Sequence, residues 1–428
     1  MTGSRPRVAA TAMIAALALT GCGETDDTPV LTWYINPDDG GQAALAEQCT
    51  DEADGEYIIQ TSLLPNDAPA QREQLARRLA AGDSSLDIMS VDLPFIPEFA
   101  EPGFLAPVPD DVAENTTEDT LDGPLEAATW GDELVAIPFT ANPQLLWYRE
   151  SVAEEAGLDM DEPVTWDDII DAARETDTYL GIQGVREESM TVWVNALIAS
   201  QGETILADEQ AEADQLQPQL GSEAGQRAAE IISTIGSEGL AGPGVASLDE
   251  EQGMRLFQGD NGSFMVNWPF VWPATNAAVE GGDLDEEVLD DIGWAQYPRV
   301  EADTESAPPL GGVALAVGAE SEHPDLAYQA VECIVQPENQ ADYFLTDGLP
   351  PSSDSAYADD RFEDEFPMAE DIREAIDNAA PRPQTPFYNE VSEGIQSRFT
   401  PISGIDPETT GEQTDTFIQQ VLRGERLL

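Results

Sequence analysis

The sequence predicts an α/β protein of about two domains, built on a mostly parallel sheet. Its 428 residues are enough for two sizeable cores. A hydrophobic content of 41% is too high for wholesale disorder. Beyond the first thirty residues, short β-type runs alternate with helix-compatible stretches, the pattern of strands joined by crossover helices.

In chain order, Arg5 and Arg7 supply a positive start to the apolar run Val8 to Leu19, which is shorter than the ~20 residues a spanning helix needs and reads as an export signal. Leu19-Thr20-Gly21-Cys22 has the pattern of a bacterial lipobox, so residues 1–21 are expected to be removed and Cys22 to carry a lipid. Residues 22–29 then form a linker that tethers the body to the outer face of the membrane. The alternative is an ordinary secreted protein in which Cys22 is incidental. Val30–Ile35 (VLTWYI) is a strand, the alanine-rich stretch to Cys49 a helix, and Tyr57–Leu64 a second strand. Gln71–Ala81 sets Leu75 and Leu79 one helical turn apart, and Leu86–Val91 is a third strand ending at Asp92. Ligands of such sheets gather at the carboxyl ends of strands, where Asp92 and the loop Asn36–Gly40 lie. Helical spacing returns at Ala228, Ile231, Ile232 and Ile235, and at Ala327, Ala330, Val331 and Ile334. Val313–Val317 is a strand preceded by Gly311-Gly312, whose missing side chains allow close approach to the backbone. Ala380–Pro386 reads as a linker or surface loop.

Composition excludes much chemistry. There are 85 acidic and 17 basic residues, every basic one is arginine, and His323 is the sole histidine. Without lysine there is no Walker-type phosphate loop and no Schiff base, so ATP work belongs to another subunit. One histidine and no CxxC pair leave no zinc motif, and no cofactor is expected. A net charge of −68 repels a nucleic-acid backbone. Removing the signal takes away two arginines and no acid, so the mature body is more acidic still, which suggests a salt-adapted host. The acidic runs around Asp283–Glu287 and Asp359–Glu365 lack EF-hand spacing and read as solvated faces. With Cys22 lipidated, Cys49 and Cys333 remain as an even pair in an oxidising compartment, where a bridge is expected. Such a bridge would bring a late segment back to the first domain.

Trp268, in Asn267-Trp268-Pro269-Phe270-Val271-Trp272, is expected at a loop-to-helix junction with Pro269 in the first helical turn. There its indole can stack on a sugar ring or simply pack in a core. Asp39, Asp92, Asn142 and Glu188 can exchange paired hydrogen bonds with sugar hydroxyls, although most acids of so acidic a chain are surface groups. Arg382 is a rarer item and can hold a hydroxyl pair or a structural ion pair. His323, before Pro324, reads as structural.

Gly131–Pro138, Asn142 with Leu146-Trp147-Tyr148-Arg149, and Val164-Thr165-Trp166-Asp167, together with the lipobox and the alternating first lobe, resemble the carbohydrate-binding lipoproteins of ABC importers, extracellular solute-binding protein family 1. Leu86–Asp92, Gln144–Arg149, Asn267–Val271, Gly348-Leu349-Pro350 and Pro401–Glu408 are similar, more narrowly, to the trehalose-binding lipoproteins of mycobacterial importers, as are the surroundings of Cys49 and Cys333. The resemblance implies a periplasmic-binding-protein-like fold with two lobes, a hinge and an interlobe ligand cleft. It places lobe 1 at 30–141 plus about 305–350, and lobe 2 at 142–304 plus about 351–428. It implies a non-enzymatic receptor that captures trehalose or a related α-glucoside disaccharide. The receptor would deliver it to an ABC permease served by a separate ATPase subunit. Asp92, Asn142 and Trp268 match the binding motifs; Glu188, Gly312 and Arg382 are carried over with them. Met265 and Asp260-Asn261 depart from the family pattern. A secreted glycoside hydrolase, working through two carboxylates about 5 to 9.5 Å apart, and a structural cell-surface protein are the rival readings.

Overall fold

The computed structural model describes residues 28–428; the export signal and Cys22 lie outside the described residues. The early alternation is realised as β1 (Val30–Ile35), α1 (Gly41–Glu52), β2 (Ile58–Leu63), α2 (Ala68–Ala80) and β3 (Ile88–Asp92). Local chemistry sets these boundaries. In α2, Asp67 caps the first turn by accepting from the Ala70 N–H, Pro69 sits where no N–H is needed, and Arg77 and Arg78 lie in the last turn, where positive charge suits the helix dipole. The chain continues through β4 (Ile137–Pro138), β5 (Asn142–Pro143), β6 (Leu145–Arg149), α3 (Glu188–Ala199), β7 (Phe264–Asn267), α4 (Val271–Gly281), β8 (Ile292–Ala295), β9 (Pro309–Gly311) and β10 (Val313–Val317). It ends with α5 (Pro324–Ile334), β11 (Ala380–Pro381), α6 (Tyr388–Phe399) and α7 (Thr410–Leu422).

The first sheet has the order β2-β1-β3-β10-β4. Its first three strands are parallel, whereas β10 runs antiparallel to both β3 and β4. The mostly parallel sheet expected from the sequence is therefore confined to β1–β3. The reason is connectivity: β10 returns from the second half of the chain, not through a crossover helix on the first. Side chains of β1 alternate between the two faces, with Leu31, Trp33 and Ile35 in one apolar cluster and Tyr34 in another, so both faces are covered. A disulfide between Cys49 and Cys333 joins α1 to α5 on one of these faces.

The second sheet, β8-β6-β7, is antiparallel throughout and carries its own core of Leu146, Trp166, Val194, Leu197, Ile231 and Phe399. Between the two lies a third small sheet, β11-β9-β5. Strand β5 directly precedes β6 of the second sheet, and β9 directly precedes β10 of the first. The chain thus crosses between its halves along paired backbones, giving a two-lobed α/β fold. The stretch 351–378 bonds to both sides: Ser353 and Ser355 reach Asp119, while Asp371 accepts from the Trp294 indole.

Ala380–Pro386 is not a surface loop. Pro381 pairs with Leu310, Arg382 is only 5% exposed and Thr385 is fully buried. The proline and glutamine signal predicts irregular backbone, which holds from Arg382 onward but not for Ala380–Pro381, and it carries no information on burial, which comes from pairing across the crossing.

Candidate functional site

The crossing strands put three of the candidate residues together, with Gly311 beside them. Asn142 lies on β5, Gly311 ends β9, Gly312 joins β9 to β10, and Arg382 directly follows β11. Asp92 ends β3, where the chain turns into the short helix Leu93–Phe95. Glu188 opens α3 from the second half.

Arg382 ties these elements. Its Nη2 donates to Asp92 Oδ1 at 2.6 Å, and its Nη1 donates to Asp92 Oδ2 at 3.3 Å and to Glu188 Oε1 at 2.9 Å. The planar fork engages one carboxylate through two nitrogens and a second through one, bridging the halves. Glu188 is further held by the Tyr388 hydroxyl and by Ser392 Oγ at 3.0 Å, both from α6. Burial works against the charge on Arg382 and is outweighed by Asp92, Tyr388 and Glu188, so the guanidinium stays protonated. Burial pushes the Asp92 carboxyl upward, and Arg382 pulls it back. The Arg382 Nε is buried with no partner, as is Asn142 Oδ1. These are one donor and one acceptor left over at the crossing.

Trp268 is half-buried at the junction of β7 and α4. Pro269 lies in the turn before the helix rather than in its first turn: Trp268 O accepts from the Val271 N–H, and Pro273 occupies the start of α4 instead. The indole Nε1 donates to Glu250 Oε1 at 2.8 Å, while Asn267 Oδ1 accepts from the Trp268 N–H. The first bond holds the ring and the second holds the backbone that carries it. Its six-membered edge lies against Gly311, where an added Cβ would come 3.1 Å from two indole carbons. Gly312 has φ +125°, and an added Cβ would stand 2.2 Å from Thr140 O. Both glycines are needed for the close approach of β5, β9 and the indole.

Asp39 stands apart. It is exposed after β1, and its backbone N–H donates to Asp347 Oδ1 at 2.6 Å; among the described residues it makes no hydrogen bond to the Arg382 cluster. Met265 is buried and its sulfur accepts from Asn267 Nδ2 at 3.5 Å, behind the tryptophan. Three residues of the site had no distinguishing mark in the sequence: Glu250, Tyr388 and Ser392. Glu250 is one acid in the Asp249-Glu250-Glu251 run, and burial raises its carboxyl against the Trp268 donor. Phe95, just past Asp92, meets Tyr388 edge to face at 5.4 Å, a second link between the halves.

Next to Glu188, a cavity of about 10 Å³ is lined by Gln144, Gln183, Ser189 and Trp193, and both Ser189 Oγ and Trp193 Nε1 lack partners. It has room for one oxygen atom of a water or hydroxyl. Among the described residues, no group of three or more acidic, histidine or cysteine side chains is placed to hold a metal. No described helix is long and apolar enough to cross a membrane. The whole arrangement is a polar seam between two halves, with acceptors, a forked donor and an indole plate around the crossing.

Residues 58–341 match the family model described as bacterial extracellular solute-binding protein. A probable ABC transporter-binding protein of Deinococcus radiodurans is 24% identical over 353 residues, covering 78% of this chain and 79% of that one. Among solved structures, maltose-bound MalE3 of T. maritima aligns with a TM-score of 0.77 at 23% identity, over 93% of this chain and 100% of that one. The GacH receptor of Streptomyces glaucescens, solved unliganded and with acarbose, aligns at 0.74 and 20% identity over 93% and 98%. These likenesses show the fold.

Proposed function

The chain belongs to the bacterial extracellular solute-binding protein family, and from that premise we propose that it captures a sugar between its two halves for an ABC importer, with trehalose or a related α-glucoside disaccharide as the solute. The observation that carries the reading is Arg382, held between Asp92 of the first sheet and Glu188 of the second half, at the crossing where Gly311 meets the indole of Trp268. Carboxylates accept from vicinal sugar hydroxyls and the guanidinium donates to them. The indole face covers the apolar side of the ring. The unpartnered Arg382 Nε and Asn142 Oδ1 supply a further donor and acceptor.

Binding in this reading is by closure. A sugar that touches Asp92 on one side and Glu188 or Trp268 on the other favours the state in which the halves are together, and it favours that state only by its differential contacts. The permease would read the closed surface, with ATP hydrolysed by a separate subunit. Anchoring through Cys22 would keep the receptor at the outer face of the membrane. The sugar leaves unchanged: Asp92 and Glu188 converge on one guanidinium, an arrangement for accepting hydrogen bonds rather than for flanking a scissile bond.

Titration calorimetry with trehalose, maltose and sucrose tests the proposal. Trehalose is expected to bind in a saturable way, and Trp268→Ala to weaken it by about tenfold to a hundredfold, equivalent to ~1.4–2.8 kcal/mol. Absence of heat with every disaccharide, or unchanged affinity in the variant, would overturn it.

A further inference from the structure

The arginines are distributed unevenly. Among the described residues every arginine but three has a carboxylate within ion-pair distance, as expected in so acidic a chain. The three are Arg398, Arg423 and Arg426, and all lie on or beside α6 and α7. Arg398 and Arg426 both stack on one ring: their Cζ atoms are 4.6 and 4.7 Å from the centroid of Phe417. With Arg186 they line a surface pocket of about 310 Å³, flanked by the exposed Leu427 and Leu428. Glu393, also in the lining, is already engaged by Arg186 at 3.2 Å.

Unpaired cations are surprising where 85 acids compete for 17 arginines. Stacking explains how the two guanidiniums are kept in place without a carboxylate. A guanidinium lying on an aromatic face has its plane fixed, while its N–H edges remain free for a planar oxyanion. We propose that this pocket docks a short acidic peptide segment of a partner protein, with Arg398 and Arg426 each receiving a carboxylate and Leu427 and Leu428 packing against the segment's aliphatic parts.

Three features favour that occupant. The volume exceeds that of a single small oxyanion and is continuous with apolar surface, which suits a chain segment. An extended anionic surface such as a lipid bilayer would meet the repulsion of the whole molecule, at net −68, whereas a short segment feels mainly what lies within about 8 Å at physiological ionic strength. The pocket also adjoins the sugar seam. Arg186 lies two residues before Glu188, and Glu393 directly follows Ser392, which donates to Glu188. The proposal holds whichever solute the seam binds.

The test uses the mature full-length protein and an amidated tetraglutamate peptide, followed by calorimetry at 0.15 M salt. Saturable binding is expected, weakened at least about tenfold by Arg398→Gln with Arg426→Gln. Arg398→Lys with Arg426→Lys should restore part of it, since charge returns without the stacked plane. Both double variants should keep the wild-type melting temperature and sugar titration, which separates this outcome from a folding defect or from failure of the sugar reading. No peptide binding, or equal binding by the glutamine variant, would overturn the proposal. So would competition by inorganic phosphate at equal affinity, or arginine-dependent binding to phosphatidylglycerol vesicles, which would assign the pocket to a small anion or to a membrane.

Discussion

Gly312 is where a single added methyl group should do most harm. Its positive φ strains any other residue, and the methyl would meet the Thr140 carbonyl at 2.2 Å in a stretch where Val313 and Thr140 are bonded to each other. Gly312→Ala is expected to cost about 2 kcal/mol or more, and to lower both the melting temperature and the affinity for sugar. A variant with wild-type melting and binding would show that the crossing tolerates displacement. Asp347 gives a prediction of opposite sign. Burial and the nearby Asp38 and Asp39 raise its carboxyl from 3.8 to about 6, and its Oδ2 has no partner. A raised carboxyl binds its proton more readily folded than unfolded. Its favourable contribution is therefore complete below pH 3.8 and lost as pH rises through about 6. Asp347→Asn, which keeps an acceptor for the Asp39 N–H, should raise stability at pH 8 by about 1 kcal/mol and leave it unchanged near pH 3.5, as read by denaturant melts at the two pH values. The legibility of such residues differed with their rarity. Trp268, Gly312 and Arg382 stand out in this composition. Glu250 and Asp347 are two acids among many, and only burial, a property of the folded chain, separates them from the rest.

At the level of elements, local patterning was informative wherever one face met a core. Strands β1–β3 and helices α1 and α2 follow the alternation read from Val30 to Asp92; α2 carries its own cap in Asp67, whereas α1, which starts after Gly40 without a side-chain cap, is held by burial of Leu45, Ala46 and Cys49. The direction of β10 was not legible, since an antiparallel and a parallel strand present the same alternation, and the choice depends on where the chain has been. The same holds for 380–386, whose burial is created by pairing with β9 and by the ion pairs of Arg382. Between α1 and α5, the Cys49–Cys333 bridge spans 284 positions in sequence. Closing so long a loop restricts the unfolded chain more than a short loop would, and the bridge is expected to contribute about 2–4 kcal/mol. Replacing both cysteines by serine, or reducing the wild type, should shift the denaturant midpoint downward by a corresponding amount, while the sugar seam, formed by other elements, keeps its affinity under native conditions. An unchanged midpoint would mean that the apolar contacts of α1 and α5 already hold them together.

For the molecule as a whole, charge is the dominant long-range term, and the two halves share it. Asp67 of the first half faces Glu187 of the second, and Glu126 faces Glu209; in each case like charge across the seam adds to the burial that raises a carboxyl. Bringing the halves together therefore concentrates negative charge that Arg382, and Arg72 opposite Glu390, offset only locally. Raising ionic strength from 0.1 M to 1 M shortens the screening length from about 10 Å to about 3 Å, which weakens repulsion over the distances that separate these groups while leaving the buried pairs of Arg382 largely intact. Stability should rise with salt, which thermal melts across a potassium chloride series would register. The dissociation constant for a sugar offers a sharper test. A disaccharide is neutral, so salt cannot screen it directly, and any dependence of its affinity on ionic strength must come from the protein's own change of shape. Affinity is expected to tighten several-fold between 0.1 M and 1 M if closure is what brings the acidic faces together. A salt-dependent melting temperature accompanied by a salt-independent affinity would place the repulsion within each half and remove it from the closing step.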